Sequence, residues 1–197
     1  MIGILDYGFG NLPNVKKALD FINVKSEIFS KKENINTYDK IILPGVGAFA
    51  DATKKIRNEE IDKYLKEFVA NEKDILGICL GMQLLFDRSY ENGEYKGLGL
   101  LEGEIVRLPN NVKVPHMGWN LLNIKNNNGI LKNLEDGYCY FVHSYYLETN
   151  ANIVSGTTLY SKEINVCVEK NNIFGCQFHP EKSGETGLKI LKNFADN

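Results

Sequence analysis

Three residues of this chain have types and settings suited to nucleophilic catalysis: Cys79 within "GICLGMQ", and His179 and Glu181 within "QFHPEKSG". A thiol attacks as its thiolate, a form favoured by the unpaired N–H groups and the positive dipole end at a helix start. Cys79 has that setting. Ile75, Leu76 and Ile78 read as a short buried strand, and Met82, Leu84, Leu85 and Phe86 carry on as a helix, so the cysteine falls on the turn between them. A side chain held out on so sharp a turn leaves little room for neighbouring Cβ atoms, and Gly77 and Gly81 supply it, as glycines do in the G-x-S-x-G elbow of serine hydrolases. The plainer alternative is a core cysteine between incidental glycines, since Cys is among the most buried residue types.

The thiolate needs a base, and the chain has His116, His143 and His179 to offer. Pro180 biases His179 toward extended or turn geometry. In an extended tripeptide, His179 and Glu181 face the same way, so that the carboxylate fixes the imidazole tautomer and steadies the imidazolium. The tetrahedral intermediate needs backbone donors for its oxyanion. The N–H of Leu80, next after the nucleophile, is the first. The second is expected from "PGVG" at 44–47, where the glycines around Val46 let a peptide turn so that an N–H of Val46 or Gly47 enters the site. Gln83 lies one helical turn beyond Cys79 on the same face, so its amide can reach a ligand held there. His143 has no nucleophile to pair with and reads as a residue that orients its strand.

These residues need a scaffold that gathers their loops. "IGILD" (2–6), "SEIF" (26–29), "KIILP" (40–44) and "ILGIC" (75–79) alternate with helical stretches at about 12–22, 48–57 and 60–70. That order predicts an α/β fold: a doubly wound, mostly parallel sheet with helices on both faces. The loops "DYGFGN", "PGVGAF" and "CLGMQ" then share one edge, beyond the carboxyl ends of their strands. The second half predicts an antiparallel or mixed extension from "GLLEGEIVRL", "VPHMGWNLLNI", "YCYFVHSYYL", "NIVSGTTLY", "INVCVEK" and "IFGCQFH", then a helix from about Glu185 to Phe194. No repeat or Pro-rich linker interrupts it, so residues 1–197 read as a single domain.

Composition removes several classes of function. With 43% hydrophobic residues the chain can bury a full core, and a net charge of −2 without a basic block argues against nucleic acid. No apolar run is long enough for a membrane helix, and the first residues lack a signal pattern, so a cytoplasmic protein is expected. Cys79, Cys139, Cys167 and Cys176 show no C-x-x-C spacing, and neither a metal site nor a disulfide framework is expected. Gly8-x-Gly10 is too little for a dinucleotide fingerprint, because Pro13 stands where the third glycine belongs.

"GICLGMQ" and "FHPEKSG" together resemble the class I (triad) glutamine amidotransferases. "DYGFGNLPNV", "LPGVGAF", "VPHMGWN" and "YFVHSYY" narrow the likeness to the glutaminase subunits of imidazole glycerol phosphate synthase, from Gly3 to Phe194. The resemblance implies that Cys79, His179 and Glu181 hydrolyse the side-chain amide of L-glutamine with no cofactor, the amino acid being held by Gln83 and the Ser144-Tyr145 stretch. It also implies a heterodimer with a (β/α)8 cyclase subunit of histidine biosynthesis, met through a face that includes Asn11, Trp119, Tyr140 and Lys182, with His116 near it. The 197 residues leave no stretch for an ammonia acceptor, so the acceptor site is expected on that other polypeptide. A paralogue feeding another synthase, such as one making amidino sugars, is the nearest rival. A binding or redox protein of the same fold would need a broken triad. One departure is local: Tyr160-Ser161 stands where the family usually has Tyr-Gly.

Overall fold

A computed structural model describes residues 1–197. The first half runs β1 (Ile2–Leu5), α1 (Leu12–Phe21), β2 (Ser26–Phe29), β3 (Lys40–Gly45), α2 (Phe49–Asn58), α3 (Ile61–Ala70), β4 (Asp74–Cys79) and α4 (Leu80–Leu84). The second half adds β5 (Arg88–Ser89), β6 (Tyr95–Lys96), β7 (Glu104–Arg107), β8 (His116–Ile124), β9 (Gly137–His143) and β10 (Tyr145–Glu148). It closes with β11 (Val154–Tyr160), β12 (Lys162–Lys170), β13 (Ile173–Cys176) and α5 (Gly184–Asp196). One sheet joins the halves in the order β2-β1-β3-β4-β13-β12-β10-β7-β5-β6, and β11, β8 and β9 branch from β12. β1 to β4 and β13 are mutually parallel, and β12 opens the antiparallel part.

The continuous apolar runs of the central strands follow from burial on both faces. Ile4, Ile42 and Ile78 pack with Val15 and Leu19 of α1 and with Ile190 and Phe194 of α5. Their neighbours Leu5, Leu43 and Ile75 turn the other way, onto Phe49 and Ile56 of α2 and Leu65 and Phe68 of α3. The register that results pairs Gly45 with Cys79 across β3 and β4. The glycine-rich loop and the nucleophile turn therefore leave the sheet side by side, with the loop after β1 next to them.

Several expectations need correction. The helix after Cys79 stops at Leu84. Leu85 and Phe86 are buried, but their carbonyls accept the N–H groups of Leu100 and Gly99 instead of continuing a helix. The run 138–147 is two strands broken at Ser144, whose carbonyl accepts the Leu108 N–H. The two-residue strands β5 and β6 carry no apolar alternation and were not expected. Of the extended and turn geometries open to the histidine-proline pair, residues 180–182 take the turn, as a 3-10 helix. Ser161 sits at φ +61° in the turn between β11 and β12, a left-handed position that glycine takes at no cost.

Candidate active site

Cys79 ends β4 and precedes α4 with φ +54° and ψ −111°, a conformation that L residues rarely hold. The surrounding backbone enforces it. A Cβ on Gly77 would come within 2.6 Å of the Met82 Cα, and one on Gly81 within 1.8 Å of the Leu43 carbonyl oxygen. The elbow thus forms because two glycines let α4 press against β3 and β4. The thiol of Cys79 reaches the Val142 carbonyl at 3.9 Å and accepts from the Gln177 amide at 3.7 Å.

The side chains of His179 and Glu181 are 2% and 1% exposed, and His179 Nδ1 meets Glu181 Oε1 at 2.9 Å. The contact expected of the pair is present, made through the 3-10 turn. Backbone bonds hold it: the His179 N–H donates to the Tyr140 carbonyl at 3.0 Å, and Ser183 Oγ donates to the His179 carbonyl at 2.7 Å. His179 Nε2 is buried and closes no hydrogen bond of its own, yet the Cys79 sulfur is near enough to govern its titration. Burial would lower the pKa of this ring, but the interactions with Cys79 and Glu181 outweigh it and raise the value to about 10. A value so raised favours the protonated ring at neutral pH, next to the sulfur. The other thiols have no such setting: burial pushes Cys139 up to about 12, and Cys167 and Cys176 well above the ordinary thiol value.

Cys79 and His179 open on a cleft of about 460 Å³ that Val46, Gly47, Leu80, Gln83, Ser144 and Tyr145 also line. Leu80 is the first residue of α4, so its N–H has no acceptor within the helix. Of the two candidates for the second donor, the Val46 N–H is spent on the Phe9 carbonyl at 3.3 Å, and Gly47 lines the cleft. Gln83 lines the same cleft as Cys79. Both hydrogens of its amide are used, on the Tyr145 carbonyl at 3.1 Å and on Gln177 Oε1 at 3.0 Å, which leaves its oxygen for a ligand.

Two residues in this site lay outside the sequence reading. Gln177 links Gln83 to Cys79, and Glu91 places a carboxylate in the cleft wall while accepting the Phe49 N–H at 2.8 Å. The histidines not assigned to the chemistry form a chain. His143 Nδ1 lies 2.8 Å from the Tyr145 carbonyl, which can only accept, so His143 Nε2 accepts from His116 Nδ1 at 3.0 Å. Burial lowers the pKa of His116 to about 4 and that of His143 to about 3, as the neutral tautomers of this chain require. His116 is buried and stacked on Tyr160 and Phe141.

Trp119 is 57% exposed, packs edge-on against Tyr140 at 6.1 Å, and lies in a group with exposed Met117, Tyr138 and Leu159 on β8, β9 and β11. The Lys182 ammonium stands 5.8 Å over the Tyr140 ring. Asn11 stands at the N-cap position of α1 without a side-chain capping bond, and α1 packs beside the 180–182 turn.

The family model for class-I glutamine amidotransferases matches residues 3–197. The imidazole glycerol phosphate synthase subunit HisH of Caldanaerobacter subterraneus subsp. tengcongensis is 48% identical, the alignment covering 100% of this chain and 98% of the relative. The subunits of the same name from Geobacillus sp. and Bacillus subtilis are 48% and 47% identical, over 99% and 98% of this chain and 96% and 95% of theirs. Among solved structures, a glutamine amidotransferase superposes with TM-score 0.78 at 20% identity, over 100% of this chain and 99% of its own. PurLQS from Thermotoga maritima superposes with TM-score 0.79 at 20% identity, over 99% and 97%. These two likenesses concern the fold.

Proposed function

The chain belongs to the class-I glutamine amidotransferases, and from that membership we infer that it is the glutaminase subunit of an imidazole glycerol phosphate synthase, residues 1–197 acting as one amidotransferase domain. It hydrolyses L-glutamine to glutamate and ammonia. The observation that carries the assignment of roles is the buried His179 ring, held by Glu181 at Nδ1 and lining the same cleft as Cys79.

In this reading the Cys79 thiolate attacks the γ-carboxamide carbon, and His179 gives its proton to the departing ammonia. The resulting thioester is hydrolysed by a water that His179 deprotonates, and glutamate leaves. Glu181 holds the ring in orientation and offsets its charge. Leu80 supplies the first oxyanion donor. The second comes from the Gly45-Val46-Gly47 loop once the Val46 N–H leaves Phe9 and turns toward the sulfur. The free amide oxygen of Gln83 and the Glu91 carboxylate suit the α-ammonium of an amino acid, and the Ser144-Tyr145 break offers backbone groups to its carboxylate.

The ammonia goes to a (β/α)8 cyclase-type subunit, which docks on the apolar face of Met117, Trp119 and Leu159 and forms with this chain a heterodimer in the cytoplasm. Asn11, Tyr140 and Lys182 complete that face. Lys182 and Tyr140 lead straight to His179, whose N–H the Tyr140 carbonyl accepts, so docking acts on the base. Glutamate release by the purified chain, with and without the cyclase-type subunit, tests this reading. Turnover should be poor alone and rise roughly 100- to 1000-fold on binding, the worth of one oxyanion donor. A Lys182→Ala change should weaken that rise more than it weakens glutamine binding. Equal turnover with and without the partner would sink the activation scheme.

A further inference from the structure

The loop after β1 carries a hydroxyl for which the site as described has no use. Tyr7 is 2% exposed, its ring lies 5.8 Å from that of Phe9, and its hydroxyl has no hydrogen-bond partner. A buried hydroxyl left unpaired costs stability, and phenylalanine would fill the same space without that cost. The position of the group is informative. A Cβ on Gly45 would lie 2.8 Å from the Tyr7 oxygen and 2.6 Å from the Gly81 nitrogen, so the hydroxyl rests against Gly45 where the glycine-rich loop meets the elbow. Burial, and then the Cys79 sulfur, push the phenol pKa far up, so the group keeps its hydrogen to donate at any working pH.

The proposed turning of the glycine-rich loop supplies the missing acceptor. The Val46 N–H now points at the Phe9 carbonyl. A trans peptide carries its N–H and C=O on opposite sides, so turning the N–H toward the sulfur swings the Gly45 carbonyl to the Phe9 side, oxygen facing oxygen. That state is costly unless a donor meets the arriving oxygen. We propose that Tyr7 is a positioning residue for the oxyanion loop, its hydroxyl donating to the Gly45 carbonyl once the Gly45-Val46 peptide has turned. The inference rests on the loop's assigned part in glutamine hydrolysis. Tyr7 acts through that peptide and touches no substrate.

The test is Tyr7→Phe in the complex with the cyclase-type subunit, run beside Cys79→Ser. Tyr7→Phe should leave the thermal unfolding midpoint equal or higher and KM for glutamine unchanged. It should lower kcat for glutamine-dependent synthesis about tenfold, the worth of one hydrogen bond. Synthesis from added ammonium salt, which bypasses this site, should not change. A tyrosine with a merely structural role moves these readouts the other way: the midpoint falls and kcat holds. An unchanged kcat, or a kcat that falls only together with the midpoint, overturns the proposal. Cys79→Ser separates the two readings. If it abolishes glutamine-dependent synthesis while Tyr7→Phe keeps full kcat, Tyr7 alone is misassigned; if Cys79→Ser stays active, the reading of the whole site fails. A structure of the complex with a glutamine analogue bonded to Cys79 gives an independent check. The Tyr7 oxygen should lie within about 3.2 Å of the Gly45 carbonyl oxygen, and a hydroxyl still without an acceptor refutes the role.

Discussion

His179 keeps its proton because Cys79 and Glu181 reward the charge that burial penalises, and the same balance sets how stability responds to pH. Its folded pKa of about 10 lies above the ordinary histidine value near 6.5. Between those values the folded state holds a proton that the unfolded chain has released, so stability falls as pH rises from about 6.5 toward 10. His116 and His143 act in the opposite sense, with folded pKa values of about 4 and 3. From pH 6.5 down through those values the unfolded chain takes up protons that the folded state refuses, and stability falls again. Thermal unfolding midpoints measured from pH 4 to pH 10 should therefore peak near neutrality, and His179→Gln should flatten the alkaline limb alone. An alkaline limb of unchanged slope in that variant contradicts the ring's assigned charge. The three proposed catalytic residues were legible in the sequence because each has a local mark: an elbow around Cys79, a proline between His179 and Glu181. Gln177, Glu91 and Tyr7 have none. Their places depend on how β13, the 88–96 turn and the first loop fall in space, and no spacing in the chain encodes that.

At the scale of elements, the elbow is a close approach of three backbones rather than a property of the cysteine. Gly81→Ala would drive a Cβ into the Leu43 carbonyl, so either α4 moves away from β3 or the turn opens. Such overpacking costs about 1–3 kcal/mol. The expected outcome is a lower unfolding midpoint together with loss of glutaminase activity in the complex. A variant with an unchanged midpoint would show that the approach is looser than described. The first-half elements were readable because buried parallel strands are continuous apolar runs and their helices are amphipathic. The second half was less so. An apolar run through Ser144 gives no sign of a break that tertiary hydrogen bonds impose, and the tight turn at 180–182 is one of two geometries that a histidine-proline pair allows.

Over the whole molecule, β9 joins the proposed reaction to the proposed docking face. β9 carries Tyr140, which packs edge-on against Trp119 of β8, and further along the same strand Val142 and His143, which line the cleft. Chemistry and docking thereby share one strand, which suits a glutaminase that should release ammonia only when an acceptor is present. The central claim is that this chain makes ammonia and leaves its use to another site. The most direct measurement is the rate of synthesis by the complex carrying Cys79→Ala, with glutamine as nitrogen source and then with an ammonium salt. The account predicts that the glutamine-dependent rate vanishes and the ammonium-dependent rate stays at the level of the parent complex. Equal loss of both rates, or survival of both, would contradict it.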